Sequence, residues 1–359
     1  MIPVWRGGCF VLKSAPVMIT ITKRKDFIPA SDELASYLDQ FGRMFSLPAT
    51  YQDMLQFAER HPLFDRTGNA THWASVIYSM DVQRDLYPRL TSIYSLLRTG
   101  ELLAVPHLFV ERVDFCEFGN SKPFRVRIVN QYNDNYDHFY MKVEDASRIY
   151  GLELEHLLSP NRINYLSHSG TLVEEHIAGV PGDAFIRDYL ERSDLNKVRI
   201  AKEFVKFSER CFIRLLGDMR SYNYVVDMTP DFEEVQYRVR AIDFDQQSYE
   251  GRRNIYLPQF FKENNPVIHL CNTCLNLPTM NQYQEEERSL IARRYLSEHQ
   301  RISHLLACMK HNPAEPPDKV ETLKQELGEY HHTSSFNNCS SMGDVVERNL
   351  EITLARHLV

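Results

Sequence analysis

The sequence predicts an α+β protein with a small antiparallel sheet and a larger, mainly helical part. Three observations carry this expectation. Between about 106 and 178, apolar and polar residues alternate with period two between turn clusters, as half-buried strands require. After Gly179-Val180-Pro181-Gly182 the apolar spacing becomes that of amphipathic helices. Before 106 apolar residues also recur at helical spacing, which predicts a helical N-terminal extension over 1–105.

In the extension, Ser31-Asp32-Glu33 offers a helix N-cap ahead of Leu34, Tyr37, Leu38 and Phe41. Further helical runs cover Tyr51 to Glu59 and about Val82 to Leu97, separated by the turn Asp65-Arg66-Thr67-Gly68-Asn69. Strands are expected at Phe109–Phe118, Phe124–Ile128 and Phe139–Val143, then a helix over Asp145–Leu158 and a strand over Thr171–Ile177. The helical part, 179–310, opens with an amphipathic helix over 195–216. Strands at Tyr222–Met228 and Val235–Phe244 follow, joined by a Thr229–Glu234 hairpin, and a long helix spans Gln284–Met309. Asn312 to Pro317 breaks that helix, and 311–359 reads as a peripheral helical appendage with a polar link at Tyr330–Ser341.

The chain has 359 residues, enough for two or three packed units. Its 48 acidic and 41 basic side chains leave a net charge of −7, which argues against nucleic acid as a partner, because phosphate backbones demand a basic surface. No apolar run is long enough for a membrane helix. The 7 cysteines are scattered and odd in number, which predicts reduced thiols and a cytoplasmic location. Arg6-Gly7-Gly8 and Lys13 interrupt the first apolar stretch, so no export signal is expected; Met18 offers an alternative start.

The segment Leu216-Gly217-Asp218-Met219-Arg220-Ser221-Tyr222-Asn223, with Ile242-Asp243-Phe244-Asp245 beyond it, carries the chemistry. Asp218 falls in a loop after a buried helix, Asn223 opens a strand, and the hairpin's return strand ends at Asp243. Two acids and an amide thereby converge at one end of a short sheet. Carboxylate and amide oxygens suit Mg²⁺, which keeps waters and takes further ligands from phosphates. Asp218, slightly apart, is placed to orient or deprotonate a hydroxyl. Taken singly, each is an ordinary turn or strand-end residue; their joint occurrence is what points to a site.

Gly217-Asp218, Asn223 five residues after the aspartate, and Ile242-Asp243-Phe244 about 20 residues on resemble the core of the aminoglycoside phosphotransferase and choline kinase group. That group shares the bilobal protein-kinase-like fold, with 106–178 as the small lobe and 179–310 as the large one. The resemblance covers about 106–260. It implies Asp218 as catalytic base, Asn223 and Asp243 as Mg²⁺ ligands, and Asp245 as an accessory ligand. It further implies that Lys142, steered by Glu153, holds the phosphates of ATP. Glu153 is preferred to Glu155 because Glu153-Leu154-Glu155-His156-Leu157 is similar to the group's E-x-x-x-L helix. Glu175, His176 and Ile177 stand where main-chain groups bind adenine, and Gly119-Asn120-Ser121 where a turn covers the phosphates.

The implied activity is Mg- and ATP-dependent phosphoryl transfer to a hydroxyl of a small molecule. The alternatives are a protein acceptor, or a pseudokinase kept as an interaction module. Departures from the group's pattern are Leu216 in place of histidine, Asn254 near an expected acid, and Tyr140 on the Lys142 face in place of a smaller aliphatic residue. Elsewhere, His269, Cys271 and Cys274 read as a partial zinc set without a second pair, and so as buried thiols. His331-His332 and the basic set Arg187, Arg192, Lys197 and Arg199 read as solvated.

Overall fold

The computed structural model describes residues 25–358, apart from 66–67, 103–104, 118–120, 233 and 313–315. The N-terminal stretch with the Arg6-Gly7-Gly8 break therefore lies outside the described residues. Ser31 caps α1 (Asp32–Gln40), its hydroxyl accepting from the Leu34 amide, and Thr50 and Asp53 form a capping box on α2 (Tyr51–Met54).

The next segment departs from the expected helix. Glu59–Phe64 (β1) and Ala70–Ile77 (β2) form an antiparallel hairpin, and only then does α3 (Met80–Thr99) begin. Both strands are largely exposed, so they carry no apolar period to read. Their order comes from β2 pairing with the strand that follows α3, Trp73 opposite Cys116 and Val76 opposite Val113. Pro62 sits on the edge strand, where a missing amide is tolerated.

Strands β3 (Leu108–Cys116), β4 (Phe124–Asn130) and β5 (Tyr136–Val143) run antiparallel in sequence, as their alternation predicts. Helix α4 (Ala146–Leu158) follows, capped by Asp145. A hairpin of β6 (Tyr165–His168) and β7 (Thr171–Glu175) then completes a seven-stranded sheet in the order β1-β2-β3-β4-β5-β7-β6. Its turn residues Ser169 and Gly170 both have positive φ, the backbone that matches a two-residue hairpin to strand twist. The expected boundary at 106 therefore does not separate a helical extension from the sheet, since β1 and β2 belong to it.

Beyond β8 (Val180–Pro181) come α5 (Gly182–Asp188) and α6 (Lys197–Arg214). Strands β9 (Tyr224–Asp231) and β10 (Glu234–Ala241) form the expected hairpin, to which β8 adds a third strand. Helices α7 (Asn265–Cys274), α8 (Leu277–Ser297), α9 (His299–His311), α10 (Pro317–His331) and α11 (Met342–Leu354) complete the chain. The single helix expected at 284–309 is two, broken at Glu298.

Two apolar cores result. Leu86, Leu90 and Ile93 of α3 pack on Val113, Phe124, Phe139 and Val173 of the sheet. The second core gathers α1, α4 and the helices from α6 onward. Helix α11 is no peripheral appendage: Val345, Val346, Leu350 and Leu354 are wholly buried in that core. At about 1.5–3 kcal/mol for each large side chain removed from water, this burial holds the C-terminus in place. His331 is likewise packed, stacked on Phe212 and Phe336 and hydrogen-bonded to Asn349, rather than solvated. No helix among the described residues is long and apolar enough to cross a membrane.

Candidate functional site

The site is built where α6 ends. Leu215 terminates the helix in the left-handed conformation, and Leu216 forms an isolated bridge with Gln247. Gly217 is required by space. A Cβ there would lie 2.9 Å from Ile255 Cγ2 and 3.0 Å from the Gln246 carbonyl, which accepts the Gly217 amide. Asp218 follows with φ of 57°, its amide donating to Ile255 O at 3.0 Å. This backbone turns the carboxylate out of the helix line, leaving it about one-third exposed at 34%.

Four bonds fix the loop beside the hairpin. Asn223 Nδ2 donates to Asp218 O at 2.7 Å, and Ile242 N donates to Asn223 O at 3.0 Å. Arg220 Nε donates to Asp218 Oδ1 at 2.8 Å while its Nη1 reaches Glu263 at 2.7 Å. Asp218, Asn223 and Asp243 are thus brought to one end of the β9–β10 hairpin. Burial pushes the Asp218 carboxyl above its ordinary range despite Arg220. Burial and the neighbouring Asp245 raise that of Asp243 despite Arg148.

The cationic half differs from expectation. Lys142 does lie on the Tyr140 face of β5, but its Nζ donates to Glu174 Oε2 on β7 at 2.8 Å, not to Glu153. Glu153 is fully buried elsewhere. It accepts from Tyr37 at 2.5 Å, Tyr165 at 2.8 Å, Arg43 at 3.0 Å and Arg301 at 2.6 Å. Glu155 pairs with Arg214. The reason is helical geometry. The first turn of α4 faces Lys142 through Arg148, and a residue five positions on lies roughly 140° round the helix.

Arg148 is the hub of the site, with a side chain 2% exposed. Its Nη1 donates to Asp243 Oδ1 at 2.9 Å and Asp245 Oδ1 at 2.8 Å. Its Nε and Nη2 grip Glu174, the latter at 2.8 Å, and Nη2 also reaches Ile242 O at 3.3 Å. Gly151, one turn on, lets α4 approach: a Cβ there would meet Phe244 Cβ at 3.0 Å and Gln247 Cβ at 3.2 Å. Lys25 adds a bond to Asp245 O at 2.8 Å and a pair with Asp145 at 3.0 Å. Burial alone would raise the Glu174 carboxyl, but Arg148 and Lys142 outweigh it and hold it at about 2. Burial and then Arg148 lower Lys142 despite its acidic partners.

Of the expected adenine-binding residues, Glu175 accepts from the Asn164 amide at 2.8 Å and lies 3.7 Å from Arg98. His176 Nδ1 meets the Tyr140 hydroxyl at 3.1 Å, and Ile177 is buried. Trp73, on the missed hairpin, comes within 6.3 Å of the Tyr140 ring, with Arg125 over its indole. Ser121 is buried just ahead of β4, whereas Gly119 and Asn120 lie outside the described residues. Among the described residues no group of three or more His, Cys, Asp or Glu side chains is arranged to hold a metal ion. Cys271 is buried on α7, where burial pushes its thiol up to about 12.

Sequence reasoning missed Arg148 and Glu174. The single arginine of α4, in its first turn and followed by glycine at i+3, was the available signal for the first. Glu174 lies on a strand of buried residues, and only the β5–β7 register places it opposite Tyr140. The chain matches no known protein-family model, and no curated protein matches it.

Proposed function

We propose that this site binds Mg·ATP and transfers the γ-phosphoryl group to a hydroxyl of a small molecule, on a bilobal protein-kinase-like frame. The observation that carries the proposal is the folding of Asn223 back onto Asp218 while Ile242 pins Asn223 beside Asp243. Asn223 Oδ1 and Asp243 Oδ2 accept no hydrogen bond among the described residues, and both are hard oxygens of the kind Mg²⁺ takes. These two residues would hold the ion, which neutralises phosphate charge when bound.

Asp218 is the base. The acceptor oxygen attacks the γ-phosphorus, the bond to the β–γ bridging oxygen breaks, and Asp218 takes the hydroxyl proton as ADP leaves. Arg220 positions Asp218 by gripping Oδ1 and anchoring to Glu263, while Oδ2, 3.5 Å from Asn223 Nδ2, is the oxygen that takes the proton. Lys142 supplies positive charge beside the phosphates, and the Tyr140–His176–Trp73 face flanks the adenine. Free thiols at Cys211, Cys271, Cys274, Cys308 and Cys339 support a reducing, cytoplasmic setting.

One observation favours a second reading, a pseudokinase kept as an interaction module: Arg148 already occupies oxygens of Asp243 and Asp245. Thermal shift and turnover together decide. Stabilisation by millimolar Mg·ATP with ADP release on an acceptor panel supports the enzyme, because a micromolar site gains several kcal/mol at that concentration. Stabilisation without turnover supports the pseudokinase. No stabilisation by any nucleotide refutes the enzyme and leaves the interaction module.

A further inference from the structure

The ion cluster around Arg148 holds three carboxylates, Glu174, Asp243 and Asp245, against two cations, Lys142 and Arg148. Burial of so many charges persists only with tight pairing, and the pairing is uneven. One Arg148 nitrogen serves Asp243 and Asp245 together, the two acids a divalent ion would bridge. Asp245 is fixed in that pose by its own backbone, since Asp245 O accepts from Lys25 Nζ at 2.8 Å and Ser147 Oγ at 3.2 Å. A guanidinium cannot lose its proton or diffuse away, so this positive charge is permanent.

We propose that Arg148 is the built-in cation of this site, standing where Asp243 and Asp245 would otherwise bind a second divalent ion. The cleft then takes at most one metal ion with its nucleotide, on Asn223 and the free oxygen of Asp243. Arg148 is a positioning residue: it fixes Asp243 while Glu174 fixes Arg148 and Lys142 together. The nucleotide part of this inference rests on the phosphotransferase reading; the occupation of the Asp243–Asp245 pair by Arg148 does not.

Titration with Mn²⁺ alone, followed by electron paramagnetic resonance of the free ion, tests it on the full chain. The unaltered chain is expected to show no Mn²⁺ site at this cluster without nucleotide. Arg148→Gln is expected to gain one, because three acids now face a single lysine, and Arg148→Gln/Asp245→Asn to lose it again. Arg148→Lys, which keeps the charge, is expected to gain none. If Arg148→Gln folds only when Mn²⁺ is supplied, the ion has replaced the guanidinium and the proposal stands. An Arg148→Gln chain that gains no Mn²⁺ site, or that stays unfolded in millimolar Mn²⁺, overturns it. So does an unaltered chain that binds two Mn²⁺ with ADP. Failure of every variant to bind a fluorescent ADP analogue refutes the phosphotransferase reading, while the Mn²⁺ titration still decides the role of Arg148.

Discussion

Replacing Glu153 with alanine separates two accounts of that residue. If Glu153 steered the phosphate lysine, Glu153→Ala would impair nucleotide binding and spare the fold. The structure requires the reverse. Glu153 joins α1 through Tyr37, the following turn through Arg43, β6 through Tyr165 and α9 through Arg301. Its side chain is wholly buried, and those of Arg43 and Arg301 are only 10% and 17% exposed. Alanine would leave both guanidinium groups and two tyrosine hydroxyls without their shared acceptor. Breaking such a buried ion pair from one side costs about 3–5 kcal/mol. That is a large share of the roughly 5–15 kcal/mol that separates folded from unfolded chains. Melting followed by circular dichroism should show a fall on the order of 5–10 °C.

The pH dependence adds a second readout. Burial alone would raise the Glu153 carboxyl, but Arg43, Arg301 and the two tyrosines outweigh it and hold it below the ordinary value of 4.5. A folded-state value below the unfolded one means that ionised Glu153 stabilises at neutral pH. That contribution fades as pH falls from the unfolded value through the folded one. The stability gap between the native chain and Glu153→Ala should therefore narrow in acid. A variant with unchanged melting temperature and lost nucleotide binding would refute the structural role.

Asp218→Asn should lower phosphoryl transfer by about 10²–10⁴-fold while melting temperature and ADP affinity hold, as measured by coupled assay and calorimetry. Glu174→Gln should cost about 3–5 kcal/mol in urea unfolding at pH 7, since Arg148 and Lys142 lose their common anion. That penalty should shrink as pH falls from about 4.5 toward the Glu174 value of about 2, because the native carboxylate gives up its advantage over that range. Gly343→Ala places a Cβ 2.7 Å from Lys310 N and 2.8 Å from Met309 C, forcing α11 off α9. Overpacking of that kind costs about 1–3 kcal/mol and should lower the guanidinium midpoint.

Strand β4 was legible because Phe124, Val126 and Ile128 are buried while Arg125 and Arg127 on the opposite face are only half-buried, which writes period two into the sequence. The β1–β2 hairpin was not, because both of its faces are largely open and its order comes from pairing with β3. The burial of α11 was also hidden. Its apolar residues show a helix, but which surface covers them depends on where α6, α8 and α9 lie.

The same division runs through the site. Asp218 and Asn223 lie five residues apart on one loop, and the hairpin that returns Asp243 is itself local, so the sequence alone determined that these three meet. Spacing along α4 could not say which residue faces Lys142, because that depends on the rotation of the helix against β5 and β7. Tertiary packing turned Arg148 inward and Glu153 away, and the β5–β7 register set Glu174 beside Lys142. Local geometry specifies partners a few residues apart; charges that meet across 26 or 95 residues, as Arg148 does with Glu174 and Asp243, are paired only by the fold.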